Sequence, residues 1–166
     1  MSRRDEIIAA AEDLLDRGGP AGLSMRTIAA EIGIQAPSLY RHFPDKAAIE
    51  ATLQERALRS LAARLDAAGP QLDAIGAAYR EWALTHPHRY ALISGQALHR
   101  DRLSPGVEAA ASAGLQTAAH GDQARARALW ALAHGLVELE LAGRFPDDAD
   151  VSSAWAAGLA AFSRVG

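Results

Sequence analysis

The chain of 166 residues has the length of one ordinary domain, or of one domain with a small headpiece, and its 49% apolar residues suit a soluble globule with a real core. Thirty-nine alanines stand against 4 valines, 8 isoleucines and 4 threonines, which excludes a predominantly β fold, and the lack of cysteine excludes disulfides, Cys-ligated zinc, iron–sulfur clusters and thiol chemistry. A net charge of −3 excludes a diffuse polyanion-binding field, and no apolar run approaches the roughly 20 residues that span a bilayer.

The opening residues, Met1-Ser2-Arg3-Arg4-Asp5-Glu6, turn acidic at once and lead into an amphipathic segment, unlike a secretory signal. A cytoplasmic, all-α protein is therefore expected. The first helix is predicted from near Ser2, with Asp5 and Glu6 in the turn where the helix dipole favours negative charge, to Gly18-Gly19-Pro20. Ser24 is an N-cap candidate for a short second helix, Met25 to Ile32, and Gly33 follows where a chain leaving a helix takes a left-handed residue. Gln35-Ala36-Pro37 opens a third helix, with proline in a permitted first-turn place, and Pro44 closes it. Asp45 caps a long fourth helix that reaches Gly69-Pro70. A fifth runs from Leu72 to Thr85, His86-Pro87-His88 breaks the chain, and a sixth covers Arg89 to His99. Asp101 to Gly106 reads as a loop, the alanine-rich stretch to His120 as a helix, and Gln123 to Gly143 as a strongly apolar helix. Phe145 to Asp148 is a turn before the last helix, Val151 to Ser163.

Three short helices within residues 1–46, the second and third joined at Gly33, are the makings of a helix-turn-helix. Ile28, Ala29, Ile34, Leu39 and Phe43 form its small core, and Ala29 is small because two helices approach closely there. The third helix then presents Gln35, Ala36, Ser38, Arg41 and His42 to a major groove. Residues 24–46 hold three basic and two acidic side chains, so any DNA contact rests on a few placed groups. Arg41 has two readings, a bidentate pair with guanine or a phosphate contact. Arg3 and Arg4 read as a solvated tail, with minor-groove or phosphate contact as the other reading.

The run from Ser24 to Lys46, SMRTIAAEIGIQAPSLYRHFPDK, resembles the headpiece of the tetracycline-repressor (TetR) family of transcriptional regulators. The ordered elements Ile28-Ala29, Gly33-Ile34, Leu39-Tyr40-Arg41-His42-Phe43 and Lys46 carry the likeness. The resemblance implies a DNA-binding domain over residues 1–46 and a helical ligand-binding and dimerisation domain over 47–166. It also implies phosphate contacts at Tyr40 and Lys46, although Tyr40 alone reads equally as a half-buried packing residue. Lys46 stands besides in the first turn of the fourth helix, whose free N–H groups suit an anion. Ser24, Arg26 and Thr27, at the start of the second helix, are expected contacts to the DNA backbone.

The helix from Gln123 to Gly143 carries a second pattern. At about 100° per residue, Trp130, His134, Val137 and Leu141 share one side, and Leu129, Leu132, Leu136 and Leu139 nearly the opposite one. A helix apolar on two faces must be buried on two faces, and the expected second cover is another copy of the chain. The last helix adds Val151, Trp155, Leu159 and Phe162 along one stripe, with Ala154 and Gly158 permitting close approach. A four-helix interface of a homodimer follows, antiparallel helices forming the body, and it would bring paired headpieces to paired half-sites.

Trp130 to Leu141, WALAHGLVELEL, is similar to the Trp-His-Gly signature of one C-terminal domain type in the same family, and Tyr79 to Leu84 with His86-Pro87 and Tyr90 fits that subgroup. The resemblance implies a small-molecule effector, and the candidate lining is Trp82, Tyr90, Ile93, Trp130, His134 and Val137. A Trp and a His at i, i+4 on an apolar face also read as a packed, hydrogen-bonded core pair. Enzyme readings find no support: Glu-x-x-His does not occur, and neither a phosphate loop nor a nucleophile elbow is present. No catalytic residue, cofactor or metal is assigned, and no membrane partner is expected. The expected function is a ligand-responsive repressor that binds double-stranded operator DNA as a homodimer. The alternative is a helical ligand-binding or interaction module without DNA recognition.

Overall fold

Ser2 starts the chain's first helix in the way its side chain dictates: its Oγ accepts the Asp5 N–H at 3.2 Å while Asp5 Oδ2 accepts the Ser2 N–H at 2.9 Å. The structure is a computed structural model that describes residues 2–163. Helix α1 spans Arg3–Gly18 and a 3₁₀ turn, Pro20–Gly22, follows it. Helix α2 is Met25–Glu31, α3 is Ala36–Leu39 and α4 is Lys46–Ala67. Helix α5 is Leu72–Thr85, α6 is Pro87–Ser94, α7 is Val107–Ala118, α8 is Gln123–Leu141 and α9 is Val151–Ser163. The described residues are thus helical and without strands, as the alanine excess requires.

The chain divides into two compact units. The first gathers residues 1–58 and 86–107, and the second residues 59–85 and 108–166, so α4 contributes its first half to one and its last turns to the other. In the first unit, α1 packs on α2 and α6, and α2 packs on α3. Ile7, Ala11, Leu15, Ile28, Leu39, Phe43, Ile49, Leu53 and Leu92 close its core. Gln54 is the one buried polar side chain among the described residues, and it is fully used. Its amide nitrogen donates to the carbonyls of Leu92 and Ala97, each at 3.2 Å, and its oxygen accepts the His99 N–H at 3.0 Å.

In the second unit, α5, α8 and α9 pack pairwise on one another. A Cβ added to Gly76 of α5 would lie 2.6 Å from Leu159 Cδ1, so glycine there spares the Leu159 side chain of α9 a shift. A polar strut ties the same three helices. Glu140 of α8 accepts Arg80 Nη2 at 2.7 Å and the Trp155 indole N–H at 2.6 Å, and Arg80 Nη1 reaches Ser152 Oγ at 3.4 Å.

Two elements differ from the expectation. The sixth helix starts at Pro87 and stops at Ser94, where Arg89 to His99 was expected. Pro87 sits in the first turn, where its missing N–H costs nothing, so it opens the helix, and the break from α5 falls at His86. The third helix closes its regular turns at Leu39, and Tyr40 to His42 follow as a tighter turn held by Leu39 O, which accepts the N–H groups of His42 and Phe43.

The first unit also predicts its own acid response. Asp16 at the end of α1 is held below its ordinary value of 3.8, first by the hydrogen bonds from Arg89, at 2.8 and 2.5 Å, against a smaller opposing effect of burial. A depressed carboxyl contributes stability above its unfolded value that is lost as pH falls through the folded one. Because the pair is partly exposed, Asp16→Asn should cost only about 0.5–1 kcal/mol at pH 7. Urea titrations should show that gap narrowing as pH falls below the ordinary carboxyl value, as folded Asp16 takes up its proton and both chains come to carry a neutral group there.

Candidate nucleic-acid interface

The turn between α2 and α3 is set by local chemistry. Ser24 Oγ accepts the Thr27 N–H at 3.0 Å, and Thr27 Oγ1 accepts the Ser24 N–H at 2.9 Å, a reciprocal cap on α2. At the other end Gly33 takes φ +67°, a left-handed conformation that glycine adopts without strain, and Ile34 N–H closes on Ala29 O at 3.0 Å. The chain can therefore reverse sharply into α3, with Pro37 in its first turn. Leu39 and Phe43 point inward with 0% and 1% exposure. Their burial fixes which residues of the same turn face out: Gln35, Tyr40 and Arg41 are exposed, and Ala36, Ser38 and His42 are half-buried. Tyr40, at 54% exposure, is a surface side chain and no part of the core.

Arg26 and Thr27 are exposed and Ser24 is half-buried, but the hydroxyls of Ser24 and Thr27 are already engaged in the cap. Lys46 opens α4, and its ammonium lies 3.0 Å from Glu50 Oε1. Asp45 accepts the Ala48 N–H at 2.8 Å as the cap of α4 and also receives Arg102 at 2.6 and 3.0 Å. Arg102, first, and then the Ala48 N–H hold its carboxyl below the ordinary value.

Arg4 is more specific than a solvated tail. It lies in α1, donates from Nη1 to His42 O, and sets its guanidinium 4.1 Å from the centre of the Phe43 ring. It therefore buttresses the turn that presents Tyr40 and Arg41. No spacing rule reveals it, because its partners lie 38 residues away.

The six residues expected to line a ligand cavity do not gather in one unit: Tyr90 and Ile93 belong to the first, and Trp82, Trp130, His134 and Val137 to the second. Trp82 is buried and donates its indole N–H to Ser60 at 3.0 Å, and Val137 is fully buried. Trp130 is 48% exposed and stacks on His134, with ring centres 5.8 Å apart. A cleft of about 520 Å³ in the second unit is lined instead by Ala62, Leu65, Asp66, Ile75, Gly114, Thr117 and their small neighbours.

The expected partner face is also rearranged. Leu129, Trp155 and Leu159 are buried inside the second unit, and α8 turns Ala126, Leu129, Ala133 and Val137 inward together. This stripe lies midway between the two expected faces. Leu132 is half-buried and packs at Gly158 of α9, while Leu136, Val151 and Phe162 are half-buried as well. Leu139 remains exposed, together with Trp130 and Leu141.

Residues 7–51 match the bacterial regulatory proteins of the tetR family, and residues 72–162 match the tetracyclin repressor-like C-terminal domain. The chain belongs to the TetR family of transcriptional regulators. Its first unit thus contains the helix-turn-helix DNA-binding element of such a regulator. Among its relatives, the uncharacterized HTH-type transcriptional regulator Rv0681 of Mycobacterium tuberculosis is 29% identical over 87% of this chain and 72% of its own. The crystal structure of SCO4313 superposes with a TM-score of 0.77 at 28% identity, covering 96% of this chain and 94% of that one. That of the multidrug binding protein EbrR, complexed with imidazole, gives 0.69 at 27% identity over 98% and 88%. No helix among the described residues is long and apolar enough to cross a membrane.

Proposed function

We propose that this TetR-family regulator is an effector-responsive repressor that binds operator DNA in the cytoplasm as a homodimer. The observation that carries the reading is the turn after α3. Buried Leu39 and Phe43 lock it from below, Tyr40 and Arg41 stand exposed in it, and Gln35 is exposed at the start of α3. Ser38 and His42 flank them, Arg41 reaches base edges or phosphate, and Tyr40 and Lys46 hold the backbone. Arg26 supplies a further backbone contact from α2.

Dimerisation is assigned to the outward faces of α8 and α9, where Trp130, Leu139 and Leu141 leave apolar surface uncovered. A two-fold partner there gives the paired headpieces that paired half-sites require. The effector is a small, largely apolar molecule. The likeness to a multidrug binding protein supports this, and the 520 Å³ cleft falls within the usual range for ligand sites. Binding it would shift the population toward headpiece positions that no longer match the operator.

Selection from a random duplex library, followed by fluorescence anisotropy, tests the reading. One enriched sequence should bind with an affinity that falls linearly in log–log against salt. Tyr40→Phe should weaken binding to all duplexes by about three- to tenfold, the worth of one phosphate hydrogen bond, at unchanged melting temperature. A library that yields no enriched duplex sinks the proposal.

A further inference from the structure

The first two turns of α4 contain a carboxylate with two claimants. Glu50 Oε1 lies 3.0 Å from Lys46 Nζ, and Oε2 lies 3.3 Å from Nε2 of His99, which the segment after α6 brings alongside. The Glu50 side chain is only 12% exposed, whereas that of Lys46 is 41% exposed. The ammonium can therefore reach a ligand in solvent while its counter-charge stays covered. His99 is not a loose neighbour. Its backbone N–H is anchored on the buried Gln54 amide, which also grips the carbonyls of Leu92 and Ala97.

We propose that Glu50 masks the charge that Lys46 offers to DNA, and that His99 sets how much of the mask remains. The proposal rests on the reading of Lys46 as a phosphate contact. With neutral His99, Lys46 and Glu50 sum to no net charge at the start of α4. With protonated His99, the carboxylate is shared between two cations and the cluster gains one positive charge, so a phosphate beside Lys46 is held more strongly. Other charges stand nearby in the chain. Asp45, just before α4, feels the charge of His99; Lys46 opens α4, and Arg100, Asp101 and Arg102 follow His99 in sequence. Asp45 and Arg102 neutralise each other through their paired hydrogen bonds, and Arg100 and Asp101 carry opposite signs. Glu50 is thus the carboxylate that His99 addresses, with Lys46 as its other claimant.

The test uses the full chain and a fluorescein-labelled duplex of the sequence that the wild-type chain enriches. Glu50→Gln keeps the shape and an acceptor for His99. It should tighten binding by about three- to tenfold near pH 7.5, the size expected for one charge acting through screened solvent. Lys46→Ala should weaken binding, and in that background the gain from Glu50→Gln should shrink below about twofold, the remainder being direct repulsion between Glu50 and phosphate. Wild-type binding should strengthen as pH falls across the window in which imidazoles charge, about 8 to 5.5. A second imidazole, His42, stands in the turn after α3, so the profile is read in His42→Gln, where adding His99→Gln should flatten it. Melting curves of each variant separate lost fold from lost charge. A Glu50→Gln chain that binds no tighter while Lys46→Ala weakens binding overturns the masking alone. Unchanged binding by Lys46→Ala removes the phosphate reading of Lys46 and the mask with it, and the His99→Gln profile judges the proposal if Glu50→Gln fails to fold.

Discussion

Replacing Glu140 with alanine should destabilise the protein by about 2–3 kcal/mol, a large share of the stability of an ordinary domain. Its carboxylate takes three donors at once: Arg80 Nε at 3.0 Å, Arg80 Nη2 at 2.7 Å, and the Trp155 indole N–H at 2.6 Å. Truncation removes more than these contacts. It leaves the indole N–H of a side chain only 5% exposed without its acceptor, and leaves the Arg80 guanidinium without its counter-charge. The Arg80 side chain is 28% exposed, so water relieves part of that cost, and the loss stays below the 3–5 kcal/mol typical of a fully buried pair. Glu140→Gln retains an acceptor for Trp155 but not the charge, and should fall between wild type and alanine. Urea denaturation of the three chains checks the order. An alanine variant within about 0.5 kcal/mol of wild type would show that the strut is ornamental.

The strut also marks the limit of what sequence reveals. Helix boundaries followed from local signals, because Ser2, Ser24 and Asp122 cap the helices that begin beside them through bonds spanning two or three residues. The turn after α3 was legible in part: Leu39 and Phe43 were expected in the headpiece core and are buried, whereas the sequence left Tyr40 open between packing and surface, and it is exposed. Arg80 and Glu140 are 60 residues apart, and Glu50 and His99 are 49 apart, so no periodicity joins them. Which arc of α8 turns inward was hidden for a related reason. Hydrophobicity is nearly uniform around a helix carrying Trp130, Leu132, Leu136, Leu139 and Leu141, so the pattern alone cannot say which arc turns inward. Small size does not mark it either: Ala126 and Ala133 lie in the buried arc, whereas Ala124, Ala128 and Ala131 are exposed.

Phe43→Ala should cost about 3–5 kcal/mol and abolish DNA binding, because the same side chain closes the headpiece core and anchors the reading turn. Phe43 is 1% exposed among Ile28, Leu39 and Ile49, and the Arg4 guanidinium covers its ring. Deleting it opens a void that nearby side chains cannot fill without moving α3, and it takes away the surface on which Arg4 lies while holding His42 O. Phe43→Leu refills most of the volume and should lose only about 1–1.5 kcal/mol, with binding largely retained. Tyr40→Ala supplies the opposite pattern from three residues away. Its ring is 54% exposed, so stability should change by less than about 0.5 kcal/mol while affinity for the selected duplex falls. Thermal unfolding followed by circular dichroism, set beside anisotropy at a temperature where each variant is folded, separates the two. If Phe43→Ala melts with the wild type, or if Tyr40→Ala unfolds early, then the division of this turn into an inward anchor and an outward reader is wrong.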